Sequence, residues 1–444
     1  MPDGLLAWPP ALDTLDGLVA DARLGEVIEA FARVVAMHVV VRTGQGALST
    51  QELVTASVDV VSHAEGRAGA ASTDGLDHGT LREALGDARR ARTACDLPAP
   101  PPSPTVAAPG FVSVTDAPSE LERLDALARE LAADDVRVTV GETSRHVRRT
   151  LSVQGGASYA TREVQTHLVV TSGAAAGAQT ATVTRSLAEV DVAALRHALD
   201  DARRRRTAGG AAPAGSGGST SADPGAAVEW VLLAPRAAAR LLSWVVPVLA
   251  TLEVAGVAPG TRVGELGLAI VDDQSSDHPN GHAFDDLGIP GRVVELVSGG
   301  VFRTGLRASP VGEESTSSAV RGENLTAAPA FCRLSPTTER LVVPRGRGLV
   351  VDDLSVLHGV ADVAADAAMF ELRGTTTGAD CAEAPARYLW SATVLDVLAA
   401  VREVEKESRT YRYRGLYGGA RTILRPDPGR LKPYVTGSRR PAGE

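Results

Sequence analysis

Lysine is almost missing from this chain: Lys406 and Lys432 are the only two in 444 residues. Arginine therefore carries nearly all of the positive charge, as expected of a GC-rich coding sequence. The formal net charge is −9, which argues against a whole-chain nucleic-acid binder and leaves only a local basic patch for that role. Cysteine is nearly as scarce. Cys95, Cys332 and Cys381 are far apart, form no C-x-x-C, and leave one thiol over in any disulfide scheme, so a reducing cytoplasm is the expected compartment. Aromatic residues are few, yet an apolar fraction of 44% is that of a folded chain and not of a disordered one.

Long hydrophobic runs are absent too. The most apolar stretch, "LLSWVVPVLATL" at 241–252, falls well short of the ~20 residues of a membrane span and reads as a buried helix. The opening "MPDGLLAWPP" has neither the basic nor the apolar region of a signal peptide. No G-x-S-x-G, no Walker A string and no G-x-G-x-x-G between strand and helix occurs. Cys332 and Cys381 lack the basic surroundings of a nucleophile and read as structural.

What is present is a chain of two or three domains by length. A Pro-rich linker at 97–110 and a Gly/Ser/Ala linker at 208–227 cut it into 1–96, 111–207 and 228–444. The first two pieces are copies of one α+β unit. "LREALGDARRART" at 81–93 returns as "LRHALDDARRRRT" at 195–207, an offset of 114, and "TQELVT" at 50–55 returns as "TREVQT" at 161–166, an offset of 111. The similar offsets make chance similarity a poor explanation.

In each copy the pattern predicts a helix, antiparallel strands and a closing helix. "LGEVIEAFARVVAMH" and "SELERLDALARELAADD" space apolar residues as helices do, the second with a capping box Ser119-x-x-Glu122. "ELVTASVDVV" and "REVQTHLVVTS" alternate as half-buried strands. The closing helices put Leu81 and Leu85, or Leu195 and Leu199, on one face. The third piece reads as a mainly β, barrel-like domain with two helices, "PRAAARLLSWVVPVLATL" and "TVLDVLAAVREVEKES", the latter burying Val394, Leu398, Val401 and Val404.

The span "DDQSSDHPNGHAFDDLGIPG" at 272–291 concentrates the ionisable residues. His278 and His282 stand four apart, the spacing of two metal ligands on a helical face, with Asp277 and Asp285 near by. Pro279, Asn280 and Gly281 between them break helices, and the calcium-loop spacing is missing, so a polar turn whose Asp side chains bond backbone N–H groups is favoured. Asp285 and Asp286 suit an Asx turn, with Gly288 at positive φ and Pro290 stiffening the exit. Near the C-terminus "RTYRYRGLYGGARTILRP" interleaves Arg with Tyr, as single-strand nucleic-acid surfaces do, but a strand with one packed and one wet face gives the same pattern and is favoured.

"VLLAPRAAARLL", "IVDD" and "FDDLGIPGRVVELVSGGVFRTGL" together resemble the C-terminal half of the TldD/TldE family, whose second member is also called PmbA. Asp272, Asp273, Phe284, Asp285, Asp286, Gly288 and Pro290 match its turn phrase, close to F-D-D-E-G-V-P, with Leu287 in place of the glutamate. TldD-type members are zinc proteases with H-E-x-x-x-H on the helix after the apolar start and a distant cysteine ligand. On that resemblance the motif falls on Ser243, Trp244 and Val248, and "GLYGGARTI" offers no cysteine. None of the three can bind zinc or act as a general base. The resemblance therefore implies a TldE-like subunit, itself without catalysis or cofactor, in a cytoplasmic complex. A TldD-like partner would carry the zinc, and the two chains would enclose small or unfolded peptides. A stand-alone binding protein, or a metallohydrolase built on the His278/His282 loop, are the alternatives.

Overall fold

The structure, a computed structural model, describes residues 13–434 except 95–116, 201–226, 275–283 and several shorter stretches. Both linkers, save Ala227, lie outside the described residues, as do Cys95, Asp277, His278 and His282. The fold is α+β. By packing, the chain divides into two compact units, one of residues 1–199 with 274–292 and 307–327, the other of 200–273 with 293–306 and 328–444. Two segments of the third sequence piece thus group with the first unit.

In the first unit, helix α1 (Asp13–Ala20) leads into β1 (Glu26–Thr43), β2 (Leu48–Ala64) and β3 (Arg67–Thr73), then α2 (His78–Arg90) and the short β4 (Thr93–Ala94). The second copy repeats this with α3 (Ala117–Leu131), β5 (Val136–Leu151), β6 (Tyr159–Ser172) and β7 (Ala178–Thr184), followed by helical residues 192–197. One antiparallel sheet results, ordered β4-β3-β2-β1-β5-β6-β7. The two copies meet at its centre, where β1 pairs with β5 from Glu29↔Leu151 to Thr43↔Arg137. Leu81 and Leu85 of α2 pack with Leu15 and Leu18 of α1 on Ile28, Ala30, Val58 and Val60 of the sheet, as the helix spacing predicts.

Two helix expectations are corrected. "LGEVIEAFARVVAMH" contains no helix: from Glu26 it is β1, and α1 lies before it. The stretch misleads because it is apolar on both faces. Ile28, Ala30 and Ala32 meet the helices, while Phe31 joins Val147 and Phe284 on the other side, so no period of two shows in the hydropathy. Ser119 sits inside the first turn of α3 and not at its N-cap.

The second unit holds an eleven-stranded sheet. Its strands are β8 (Trp230–Leu233), β9 (Ile270–Asp273), β10 (Val293–Ser298), β11 (Val301–Phe302), β14 (Phe331–Leu334), β15 (Gly348–His358), β16 (Ala368–Gly378), β17 (Cys381–Ala392), β18 (Val401–Arg412), β19 (Leu416–Leu424) and β20 (Leu431–Pro433). The intervening β12 (Ala319–Arg321) and β13 (Leu325–Ala327) form a separate hairpin within the first unit. Strand β19 carries β18 along one edge and β14, then β8, along the other. Helix α4 (Pro235–Leu249) opens on a proline at its first turn and buries Leu241, Leu242, Trp244, Val245 and Val248. No helix among the described residues is long and apolar enough to cross a membrane.

The second C-terminal helix is shorter than its apolar spacing predicts. α5 (Val394–Ala400) starts on a reciprocal cap, Thr393 Oγ accepting from the Asp396 N–H and Asp396 accepting from the Thr393 N–H at 2.8 Å, then yields to β18. Val394, Leu398, Val401 and Val404 are all buried as expected. The three-residue step from Val401 to Val404, read as helical, arises from register shifts in β18 against β19.

Close packing of α4 on β19 depends on Gly419. A Cβ there would stand 1.8 Å from the Pro235 carbonyl oxygen. Gly419→Ala is therefore expected to destabilise the second unit by about 1–3 kcal/mol, read as an earlier thermal transition. An unchanged melting temperature would mean that α4 can shift freely on the sheet.

Candidate functional site

Ser243, Trp244 and Val248, the positions on which the resemblance places a zinc motif, all lie on α4. Ser243 is half-buried and its hydroxyl donates to the Arg240 carbonyl at 2.7 Å, a bond internal to the helix. Trp244 packs edge-on against Phe370, ring centroids 5.1 Å apart, and Val248 is fully buried. The indole N–H of Trp244 is buried without an acceptor among the described residues. A zinc ion needs nitrogen, sulfur or carboxylate donors converging at about 2.0–2.3 Å, and this side-chain set supplies none. The residues present do not fit the metal. Beside the helix lies a cavity of about 20 Å³ lined by Leu241, Leu242, Val245, Leu398 and Val401. That is room for about one water molecule.

The acidic stretch resolves into two structural devices. In the second unit, fully buried Asp272 accepts from the Phe331 N–H at 2.9 Å and faces Cys332 Sγ at 3.5 Å. Burial, and then the Asp272 carboxylate, push the Cys332 thiol well above the usual range, the opposite of nucleophile activation. Asp273 lies 3.9 Å from Arg333. The side chain of Cys381 lies outside the described residues.

In the first unit Asp285 organises the turn. Its Oδ1 accepts from the N–H groups of Leu287 and Ile289, both at 2.9 Å, and its Oδ2 from Ala319 at 3.1 Å. The Gly288 N–H closes on the Asp285 carbonyl at 2.9 Å with Gly288 at φ +79°. Phe284 bridges to Pro290, and the Asp286 N–H bonds the Ala319 carbonyl at 3.1 Å. This is the Asx-type turn that the residue types predict. Leu287, at the place of the family's glutamate, packs with Ile289 and Ala319. Asp285 and Asp286 are both buried. Among the described residues no three His, Cys, Asp or Glu side chains gather as a metal site.

Two groups went unread in the sequence. Gln274 holds the turn's far side, its amide donating to the Thr316 carbonyl at 2.7 Å and to Ser318 Oγ at 2.9 Å and accepting from the Arg292 N–H at 3.1 Å. The polar run 315–318 was the available signal. The second group surrounds Tyr413 of the Arg/Tyr run. Its hydroxyl donates to the Arg236 carbonyl at 3.3 Å, and the Arg240 guanidinium lies 5.1 Å from its ring centroid. Tyr411 is buried and Arg412 is exposed, so the run is a strand with one packed and one wet face. Burial pushes the Tyr411 phenol up to about 12.

Residues 230–424 match the family model described as PmbA/TldA metallopeptidase C-terminal domain. No curated protein matches the sequence. Among solved structures, the fold is similar to that of TldE from Thermococcus kodakarensis, with a TM-score of 0.68 and 15% identity over 95% of this chain and 100% of that one. It is equally similar to a protein described as a modulator of a DNA gyrase from Thermotoga maritima, with a TM-score of 0.68 and 14% identity over 95% of this chain and 99% of that one. A Bacteroides thetaiotaomicron protein of like description follows at 0.66 and 12%, over 96% and 98%. With residues 230–424 matched to the family model and the fold similar along the chain, the C-terminal domain of this protein belongs to the TldD/TldE (PmbA) family.

Proposed function

We propose that this chain is the non-catalytic, TldE-like subunit of a heteromeric zinc peptidase. A TldD-like partner supplies the zinc, and this chain helps to enclose small or unfolded peptides in a cytoplasmic complex. The observation that carries the reading is α4. Where a zinc-binding helix needs two imidazoles and a carboxylate, α4 holds Ser243, Trp244 and Val248, two of them packed in the core. The role left to the chain is to shape access to a metal held elsewhere.

The test is co-purification with a TldD-like protein from the same genome, with zinc measured by elemental analysis on the complex and on each chain alone. The expected result is zinc in the complex and in the partner, none in this chain, and peptide cleavage only when both are present. Stoichiometric zinc in this chain alone, removed by His282→Ala, would overturn the reading in favour of the histidine loop.

A further inference from the structure

We propose that Arg236, Arg240 and Arg409 form an anion-binding patch on the second unit that takes a carboxylate of a peptide. The anion site follows from the side chains, whereas its peptide occupant rests on the reading above. Arg409 and Tyr411 are two apart and share one face at the end of β18, and Tyr413 follows just past the strand. Arg409 pairs with Gly419 and Tyr411 with Tyr417 across the β18–β19 ladder. Gly419 is the residue against which the Pro235 carbonyl rests, and its absent Cβ would lie 3.0 Å from Tyr411 Cε2. That face of β18 therefore meets the first turns of α4, which carry Arg236 and Arg240.

Among the described residues these guanidiniums lack an ion-paired counter-charge, although other arginines pair readily, as Arg373 and Arg387 do with Glu371. The carboxylate that acts on Tyr413 is Asp353, which pairs in register with Arg373 across β15 and β16. All three arginines are half-buried and so partly desolvated; Arg409 and Arg236 both act electrostatically on Tyr411, and Arg236 and Arg240 on Tyr413, an arrangement that an anion from outside would stabilise. A carboxylate matches the guanidinium fork in shape as well as charge.

A single-stranded nucleic acid is the poorer fit. It needs open aromatic faces for its bases. Here Tyr411 and Tyr417 are 7% and 1% exposed, and Arg240 covers the ring of Tyr413.

The test uses the full chain alone, with fluorescence anisotropy of a short glutamate-rich peptide, its glutamine counterpart and an oligothymidylate at low salt. The glutamate peptide is expected to bind about tenfold more tightly than the glutamine one. Arg236→Gln with Arg240→Gln removes that difference, and the double Lys variant keeps part of it. High salt shrinks it. Should the double Gln variant melt early, Arg409→Gln gives the same reading from the strand side. Equal binding of the two peptides, a difference that survives the Gln variants, or preference for the oligothymidylate would overturn the proposal. No zinc or partner enters this assay, so its failure is distinct from failure of the peptidase complex.

Discussion

Glu26→Gln lowers the stability of the first unit by about 3 kcal/mol at neutral pH, and the deficit vanishes in acid. Glu26 opens β1 with a side chain 2% exposed. It accepts from Arg89 at 2.7 and 2.9 Å, from Ser62 Oγ at 2.6 Å and from the Arg23 N–H at 2.9 Å, and it pairs with Arg92. The Arg89 hydrogen bond foremost, with Ser62 and Arg23, outweighs burial and holds the carboxyl at about 2 against an ordinary 4.5. A lowered folded-state pKa means that the carboxylate's contribution is complete above the unfolded value of 4.5 and is lost as pH falls toward 2. The shift amounts to roughly 3 kcal/mol. Urea unfolding of wild type and variant at neutral, mildly acidic and strongly acidic pH measures it. A gap that stays constant with pH would show that Glu26 acts by packing alone.

Asp285→Ala is expected to cost about 3–5 kcal/mol in the same unit. The carboxylate is buried and is the shared acceptor of three backbone N–H groups, from Leu287, Ile289 and Ala319. Each buried donor left without a partner costs about 1–3 kcal/mol, less whatever water can enter. Asp285→Asn recovers only part. Its remaining carbonyl can serve Leu287 and Ile289, but its amide then faces the Ala319 N–H, donor against donor. Thermal melts of both variants test this, with limited proteolysis for opening of the turn. If Asp285→Ala melted with the wild type, the turn would be held by the apolar packing of Phe284, Leu287 and Ile289 instead.

The parts legible in the sequence were those where one local rule decided the outcome. Leu81 and Leu85 of α2 and the apolar face of α4 needed only helical spacing, and Asp285 with Gly288 needed only turn chemistry. Where two faces were buried at once, as along β1, the period was erased and a strand resembled a helix. Where register shifts entered β18, its buried valines fell at helical spacing. The anchoring of the turn by Gln274 and the meeting of Arg240 with Tyr413 depend on residues far apart in the chain, which no local pattern encodes.

The join at the middle of the first sheet also sets an order in time. Within each copy the strand partners are neighbours in the chain, so hairpins close cheaply. The pairing of β1 with β5 must bring together residues such as Glu29 and Leu151, and such distant pairing forms slowly. Until the second copy has been synthesised and folded, the first presents an eighteen-residue strand with one edge unmatched. During that interval the open edge of β1 is a template on which the same edge of a neighbouring nascent chain can pair, a hazard that β5 removes once it docks.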